Sequence, residues 1–196
     1  MKKLIYPIID TGHGYETTGK ESEGFYTESG KVMLKENSVN EAVGNKLSFA
    51  FYEQGKSHAF LTNEWYDVSL DERVQRENAI FDKLDKEKYQ PFFISLHADA
   101  FKQKNKAKGG RFFYYSEKGK AIAEQLTSHL KHYGYDLYLR PPKKANFKVL
   151  RETNSPAVLF EMGFMTTEHD LKYLLSDNFR NKTARLLNQA INNLEI

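Results

Sequence analysis

Apolar residues follow two different periods along this chain, and each change of period marks an element. Short runs of aliphatic and aromatic residues at 4–9, 58–62, 92–96, 111–115 and 157–160 have the length and composition of buried strands. Elsewhere the apolar positions recur every three to four residues. Val39, Val43, Leu47, Ala50 and Phe51 mark a helix over 37–54, closed by Gly55. Leu70, Val74, Ala79 and Ile80 mark a second, running towards Leu84, and 118–132 a third. Ser69 with Glu72 three residues on predicts a capping box at the second helix. Thr167 with Asp170 opens a helical C-terminus, in one or two pieces, up to Leu194. Residues 15–35, 101–110 and 140–145 read as loops, and 148–150 as a short edge strand. Strands alternating with helices predict an α/β fold, a three-layer α/β/α domain with a largely parallel central sheet. A chain of 196 residues is long enough for one sizeable core, so a single catalytic-size domain over 1–196 is expected.

Composition narrows the chemistry. Hydrophobic residues at 40% and charged residues at 28% describe a folded globular chain. The absence of cysteine excludes disulfides, thiolate zinc sites and cysteine nucleophiles, so any metal falls to His, Asp or Glu. A net charge of +3 is too mild to argue for nucleic acid, and no nucleic-acid partner is expected. The apolar run near the N-terminus is short, broken by Pro7 and ended by Asp10, unlike a secretory leader. No run approaches the ~20 apolar residues of a membrane span. The expectation is a monomer made in the cytoplasm without a signal peptide.

Three of the strand-like runs end in a polar group. Residues 4–9 lead into Asp10, Thr11 and a His13 flanked by Gly12 and Gly14; 92–96 stop at His97; 157–160 stop at Glu161. Strand ends are where an open α/β sheet gathers ligand and catalytic groups. His, His and Glu at three such ends look like one metal site. Each alone also has an ordinary reading: a hydrogen-bonded histidine at a strand end, or a glutamate in a cap or buried ion pair. His58, His129, His132 and His169 have no such placement and read as solvated.

The motifs DTGHG from Asp10, KENSVN from Lys35, SLDERVQREN from Ser69, FISLHADA from Phe93, GGRFFYY from Gly109 and PAVLFEMGF from Pro156 occur in that order. In this the chain resembles the zinc-dependent N-acetylmuramoyl-L-alanine amidases of the Amidase_3 type, over nearly its whole length. The resemblance implies that His13, Glu36 and His97 hold Zn2+ and that Glu161 is the catalytic acid/base. It further implies cleavage of peptidoglycan at the amide between the lactyl group of N-acetylmuramic acid and L-alanine of the stem peptide. Thr11, Met162 and Thr167 depart from the usual proline, leucine and asparagine and leave those four groups in place. Arg73 and Asn78 match the family's Arg-x-x-x-x-Asn pattern, read as structural support. A catalytic domain with no separate cell-wall-binding domain and no leader resembles a phage or prophage endolysin, reaching the wall after release by a holin. The alternatives are a bacterial autolysin or sporulation amidase, a non-catalytic wall-binding domain on the same fold, or another zinc hydrolase such as a carboxypeptidase.

The chemistry agrees with that implication. Hydrolytic zinc takes three His or carboxylate ligands and keeps a fourth position for water. A separate carboxylate then has to move the proton, and burial at a strand end raises a carboxyl pKa towards neutrality. Glu36 and Glu41 both stand near the start of the first helix, and geometry separates them. At about 100° per residue the apolar stripe extends back to Glu36, while Glu41 falls roughly 140° away on the solvent side. The lysines at 102, 104, 106 and 108 read as a solvated face or as a steering patch for anionic wall polymer.

Overall fold

The computed structural model describes residues 3–27 and 30–196. The first two residues of the N-terminal stretch, and Glu28 and Ser29 within the expected 15–35 loop, lie outside the described residues. In chain order the elements are β1 (Leu4–Thr11), β2 (Phe25–Thr27), β3 (Gly30–Val32), α1 (Glu36–Glu53), β4 (Ala59–Phe60), α2 (Leu70–Lys83) and β5 (Tyr89–Asp99). They continue with β6 (Arg111–Tyr114), α3 (Glu117–His132), β7 (Lys143–Lys144), α4 (Lys148–Arg151), β8 (Ala157–Phe164), α5 (Glu168–Leu175) and α6 (Asp177–Asn192).

The main sheet has the order β4-β1-β5-β8-β6-β7. Its pairings are parallel except β6 with β8, which is antiparallel. The C-terminal ends of β1, β5 and β8 therefore share one edge with the start of β6. Side chains alternate across the sheet. Ile9, Ile94, Leu96, Phe112 and Phe160 go to the larger core with α1, α3, α5 and α6. There the Phe112 and Phe160 rings stack at 4.0 Å between centroids. Ile8, Phe93, Ala157 and Leu159 face the other way, against Val74 of α2 and Val149 and Leu150 of α4. Full burial of each such side chain is worth about 1.5–3 kcal/mol. The result is the expected three-layer α/β/α arrangement. Among the described residues no helix is long and apolar enough to cross a membrane.

The capping signal at α2 is half realised. Ser69 Oγ accepts the Glu72 backbone N–H at 3.2 Å, but the Glu72 carboxylate turns to Arg76 at 2.6 Å instead of back to the cap. Three local expectations are corrected. Residues 148–150 form a helical turn, not an edge strand: Val149 and Leu150 are adjacent and both buried in one cluster, whereas a strand would send them to opposite faces. The edge position belongs to β7, which pairs with Phe113 and Tyr114 from within the stretch expected to be a loop. The 15–35 excursion contains the β2–β3 hairpin, and a bridge from Glu21 to Lys35 closes its base. The 58–62 run contributes only the short β4.

Candidate metal centre and its cleft

The alternation that builds the smaller core, carried further along the same strands, builds the site. Asp10 follows Ile8, and Ser95 and His97 follow Phe93, on the face that α2 covers; Asp10 and Ser95 are Cα partners. Glu161 follows Leu159 and is the Cα partner of His97 on the next strand. The apolar layer gives way first to a buried polar one. Asp10, 1% exposed, accepts from Arg73 Nη1 and Ser95 Oγ, both at 2.5 Å. Arg73 also donates to the carbonyls of Val68 and Thr11, each at 2.7 Å, and to Asp67 Oδ1 at 3.3 Å. This network joins β1, β5 and α2 at the base of the His13 loop.

His13 has φ +64°, a left-handed backbone that costs a non-glycine residue on the order of 1–2 kcal/mol. Side chains from α1 hold it: Asn37 Nδ2 donates to His13 O at 3.1 Å and Asn40 Nδ2 to Gly12 O at 3.0 Å. Gly12 leaves room for the His97 ring, since a Cβ there would lie 2.0 Å from His97 Cε1. Glu36 begins α1, where the helix dipole favours a negative charge, and is 3% exposed. Its Oε1 lies 2.9 Å from His97 Nδ1 and accepts the Ala98 N–H at 3.2 Å, while Oε2 lies 3.4 Å from His13 Nε2.

One donor atom from each of His13, Glu36 and His97 thus falls within 4.8 Å of the others. Two imidazoles and one carboxylate are a hydrolytic zinc donor set, and 3.4 Å is close to the ~3.3 Å edge of a tetrahedron with bonds of about 2.0–2.1 Å. The residues present fit such an ion. Glu41 stands apart from this group and accepts from Asn37 Nδ2 at 2.9 Å.

Electrostatics differ sharply among the four groups. Burial, helped by His97 and Lys20, pushes the His13 imidazole down to about 4, so it stays neutral, as a ligand must. Burial also disfavours the charged form of His97, but the Glu36 hydrogen bond and the carboxylates of Glu161, Glu36 and Asp10 outweigh it and raise its pKa. For Glu36 burial works upward, yet His97, His13 and Lys20 hold the carboxyl below its usual range. Glu161 goes the other way: burial, reinforced by Asp99 and Glu36, pushes it up to about 8. Its Oε2 is buried without a hydrogen-bond partner.

All four groups line one cleft of about 770 Å³, with Leu70 and Phe147 among the residues of its wall. Thr17, Gly19 and Lys20 bring part of the 15–35 segment to it, whereas none of the 101–110 lysines lines it. Lys104 instead pairs with Glu23 at 2.9 Å. The other histidines stay away from the centre. His58 is half-buried between Ser48 Oγ at 2.8 Å and Lys56 O at 2.9 Å, His129 half-buried against the Tyr133 ring, and neither is simply solvated. Asn78 ties α2 to the segment before β8 through Glu152 O and the Asn154 N–H. Sequence reasoning did not single out Asn37 or Lys20, and used Asn40 only as the reference point of the family pattern, a Glu four residues before it, that supports Glu36. The available signal was polar: two asparagines close behind Glu36 on a helix face otherwise apolar.

A family model described as N-acetylmuramoyl-L-alanine amidase (Amidase_3) matches residues 8–193. A probable cell wall amidase, LytH, of Staphylococcus aureus is 26% identical over 184 residues, covering 94% of this chain and 55% of that protein. A protein of the same description from Staphylococcus saprophyticus is 27% identical over 163 residues, covering 83% and 49%. The chain spans about half the length of the curated relatives it matches. Among solved structures, the N-acetylmuramoyl-L-alanine amidase AmiC2 of Nostoc punctiforme aligns with a TM-score of 0.78 at 25% identity, covering 97% of this chain and 96% of that one.

Proposed function

Because the chain belongs to the N-acetylmuramoyl-L-alanine amidase family Amidase_3, we propose that it is a zinc-dependent peptidoglycan hydrolase that cleaves the amide between the lactyl group of N-acetylmuramic acid and L-alanine of the stem peptide. The observation that carries this reading is the convergence of His13, Glu36 and His97 at the sheet edge with Glu161 beside them. His13, Glu36 and His97 would hold Zn2+. Bound there, zinc supplies Lewis-acid polarisation of the amide carbonyl and activation of a water.

The chain's own contribution is proton transfer and positioning. Glu161 takes a proton from the attacking water and returns it to the L-alanine nitrogen as the C–N bond breaks. Burial that disfavours the ionised carboxyl makes Glu161 a stronger base than an exposed glutamate, and the protonated form it gains is the acid that the leaving nitrogen needs. No hydrogen bond within the protein occupies Oε2, so none has to break for the exchange. Neutral His13 and ionised Glu36 are in the protonation states a cation requires. An intact set of all four groups argues against a non-catalytic wall-binding role.

The same chemistry serves a phage endolysin released by a holin and a bacterial autolysin or sporulation amidase. The curated relatives, described as probable cell wall amidases, favour the bacterial role over the lysin that the sequence suggested. The decisive assay is digestion of purified cell walls with the zinc-loaded chain. New N-terminal L-alanine is the expected product, lost with a chelator and regained with zinc. New reducing sugar ends, or full activity in excess chelator, would overturn the proposal.

A further inference from the structure

Arg111 opens β6 directly opposite Glu161 in the antiparallel β6–β8 pair. Glu161 is in turn the partner of His97 on β5. Partners across a ladder point to the same face, so His97, Glu161 and Arg111 form a row across three strands. Two residues further along β6, Phe113 packs edge-to-face on Phe147 at 5.3 Å, and Phe147 lines the cleft with Glu161. The Arg111 guanidinium carbon lies 5.9 Å from the Phe113 ring centroid. Arg111 does not itself line the cleft; its cation lies on the Glu161 face of the sheet, against the Phe113 ring and one ring removed from the Phe147 wall.

Among the described residues this cation has no ion pair, and its Nε is buried without a hydrogen-bond partner. The other arginines that are not fully exposed each have at least one partner, though Arg140 Nε is likewise buried without one. Arg73 has Asp10, Arg76 has Glu64 and Glu72, Arg140 has Gly109 O, and Arg180 has Leu174 O. A guanidinium is a five-donor fork matched to a carboxylate, and leaving it half-desolvated and unpaired costs free energy that an anionic ligand would return. Glu161 is not that anion: no ion pair joins the two residues, and Glu161 Oε2 has no hydrogen-bond partner.

Two strand spacings of about 4.8 Å place the Arg111 backbone roughly 10 Å from that of His97. A peptide advances about 3.3–3.6 Å per residue when extended, so this span corresponds to two or three residues. Resting on the amidase reading, we propose that Arg111 anchors a carboxylate of the stem peptide two to three residues beyond the scissile amide, and so selects anionic peptides.

The test uses two N-acetylmuramoyl tripeptides that begin with L-alanine and differ only in whether their carboxylates are free or amidated. With the zinc-loaded wild type, kcat/KM should favour the free acid by about tenfold or more, mainly through KM, the worth of a charge-assisted pair. Arg111→Gln should bring the acid down to the level of the amidated substrate and leave the latter unchanged, and Arg111→Lys should keep part of the preference. Calorimetry with the two free tripeptides reads the subsite without turnover. Equal binding of both by the wild type, or an unchanged preference in Arg111→Gln, would overturn the anchor. A wild type that cleaves neither substrate yet binds the charged tripeptide more tightly, and only with Arg111 present, would sink the amidase reading and support the anion subsite.

Discussion

Arg73 Nη1 and Asp10 Oδ1 meet at 2.5 Å with both residues almost wholly buried, and Asp10 stands three positions ahead of His13 in the chain. Removing one partner of a buried pair strands the other charge in a low dielectric, at a cost of about 3–5 kcal/mol. Arg73→Ala should lose stability on that scale in urea denaturation. Because the pair supports the loop carrying the proposed metal donor His13, zinc affinity should also fall, by roughly 10–100-fold. Arg73→Ala with wild-type stability and zinc affinity would remove the network from any role in holding the site.

Glu36 and Glu41 offer a direct contrast on one helix. A metal that binds only the folded chain raises its apparent stability, so added zinc should raise the Tm of the wild type and of Glu41→Ala. It should not raise that of Glu36→Ala, nor of His13→Ala or His97→Ala. A zinc-induced shift retained by Glu36→Ala and lost by Glu41→Ala would mean that the ion is held elsewhere.

For Glu161 the expectations separate chemistry from metal binding. Glu161→Gln should bind zinc as the wild type does, with turnover lower by about 10² or more, the usual contribution of acid–base catalysis. Near-normal wall lysis by this variant would reassign the proton transfer.

The same substitution has a pH signature in the metal-free protein. In the unfolded chain the Glu161 carboxyl ionises above its ordinary 4.5, while the folded chain keeps its proton up to about 8. Between those values the unfolded state binds fewer protons, so this carboxyl lowers stability as pH rises, by about 1.4 kcal/mol per pH unit at most. Glu161→Gln has no such titration. Its stability relative to wild type should climb from pH 4.5 to 8 and level off above, as read by denaturation at pH 4, 6 and 9. A difference that is flat across this range would show that the carboxyl ionises alike in both states.

Gly12→Ala tests the space beside the proposed metal donors. The new Cβ would fall 2.0 Å from His97 Cε1, so the ring has to leave its position. The fold should lose about 1–3 kcal/mol from overpacking, with zinc affinity falling far more than stability. Unchanged zinc binding would show that His97 can ligate from another rotamer.

What the sequence made legible follows from which interactions are local. Strand runs ending at His13, His97 and Glu161 are properties of consecutive residues, and the apolar stripe on α1 points to Glu36 by helical spacing alone. The α4 turn was misread because Val149 and Leu150 look alike in either period over so short a run; burial against α2 and β8 decides their conformation. The β2–β3 hairpin was hidden because its strands are three residues each and carry little apolar pattern. Asn37, Asn40 and Arg111 owe their meaning to partners or neighbours far along the chain, which no window on the sequence contains.

β8 is the last strand in the chain, yet it sits in the middle of the sheet, between β5 and β6. A nascent chain leaving the ribosome therefore has both flanking strands before it has the one that belongs between them. Until residue 164 is made, β5 and β6 each offer an open edge on which a neighbouring chain can template the wrong pairing. The proposed metal donors at 13, 36 and 97 emerge early, and Glu161 enters only with the strand that closes the sheet. An unfinished chain can thus gather the proposed ligands for an ion while lacking the carboxyl proposed to put that ion to use, so closure of the sheet and competence for hydrolysis arrive with the same strand.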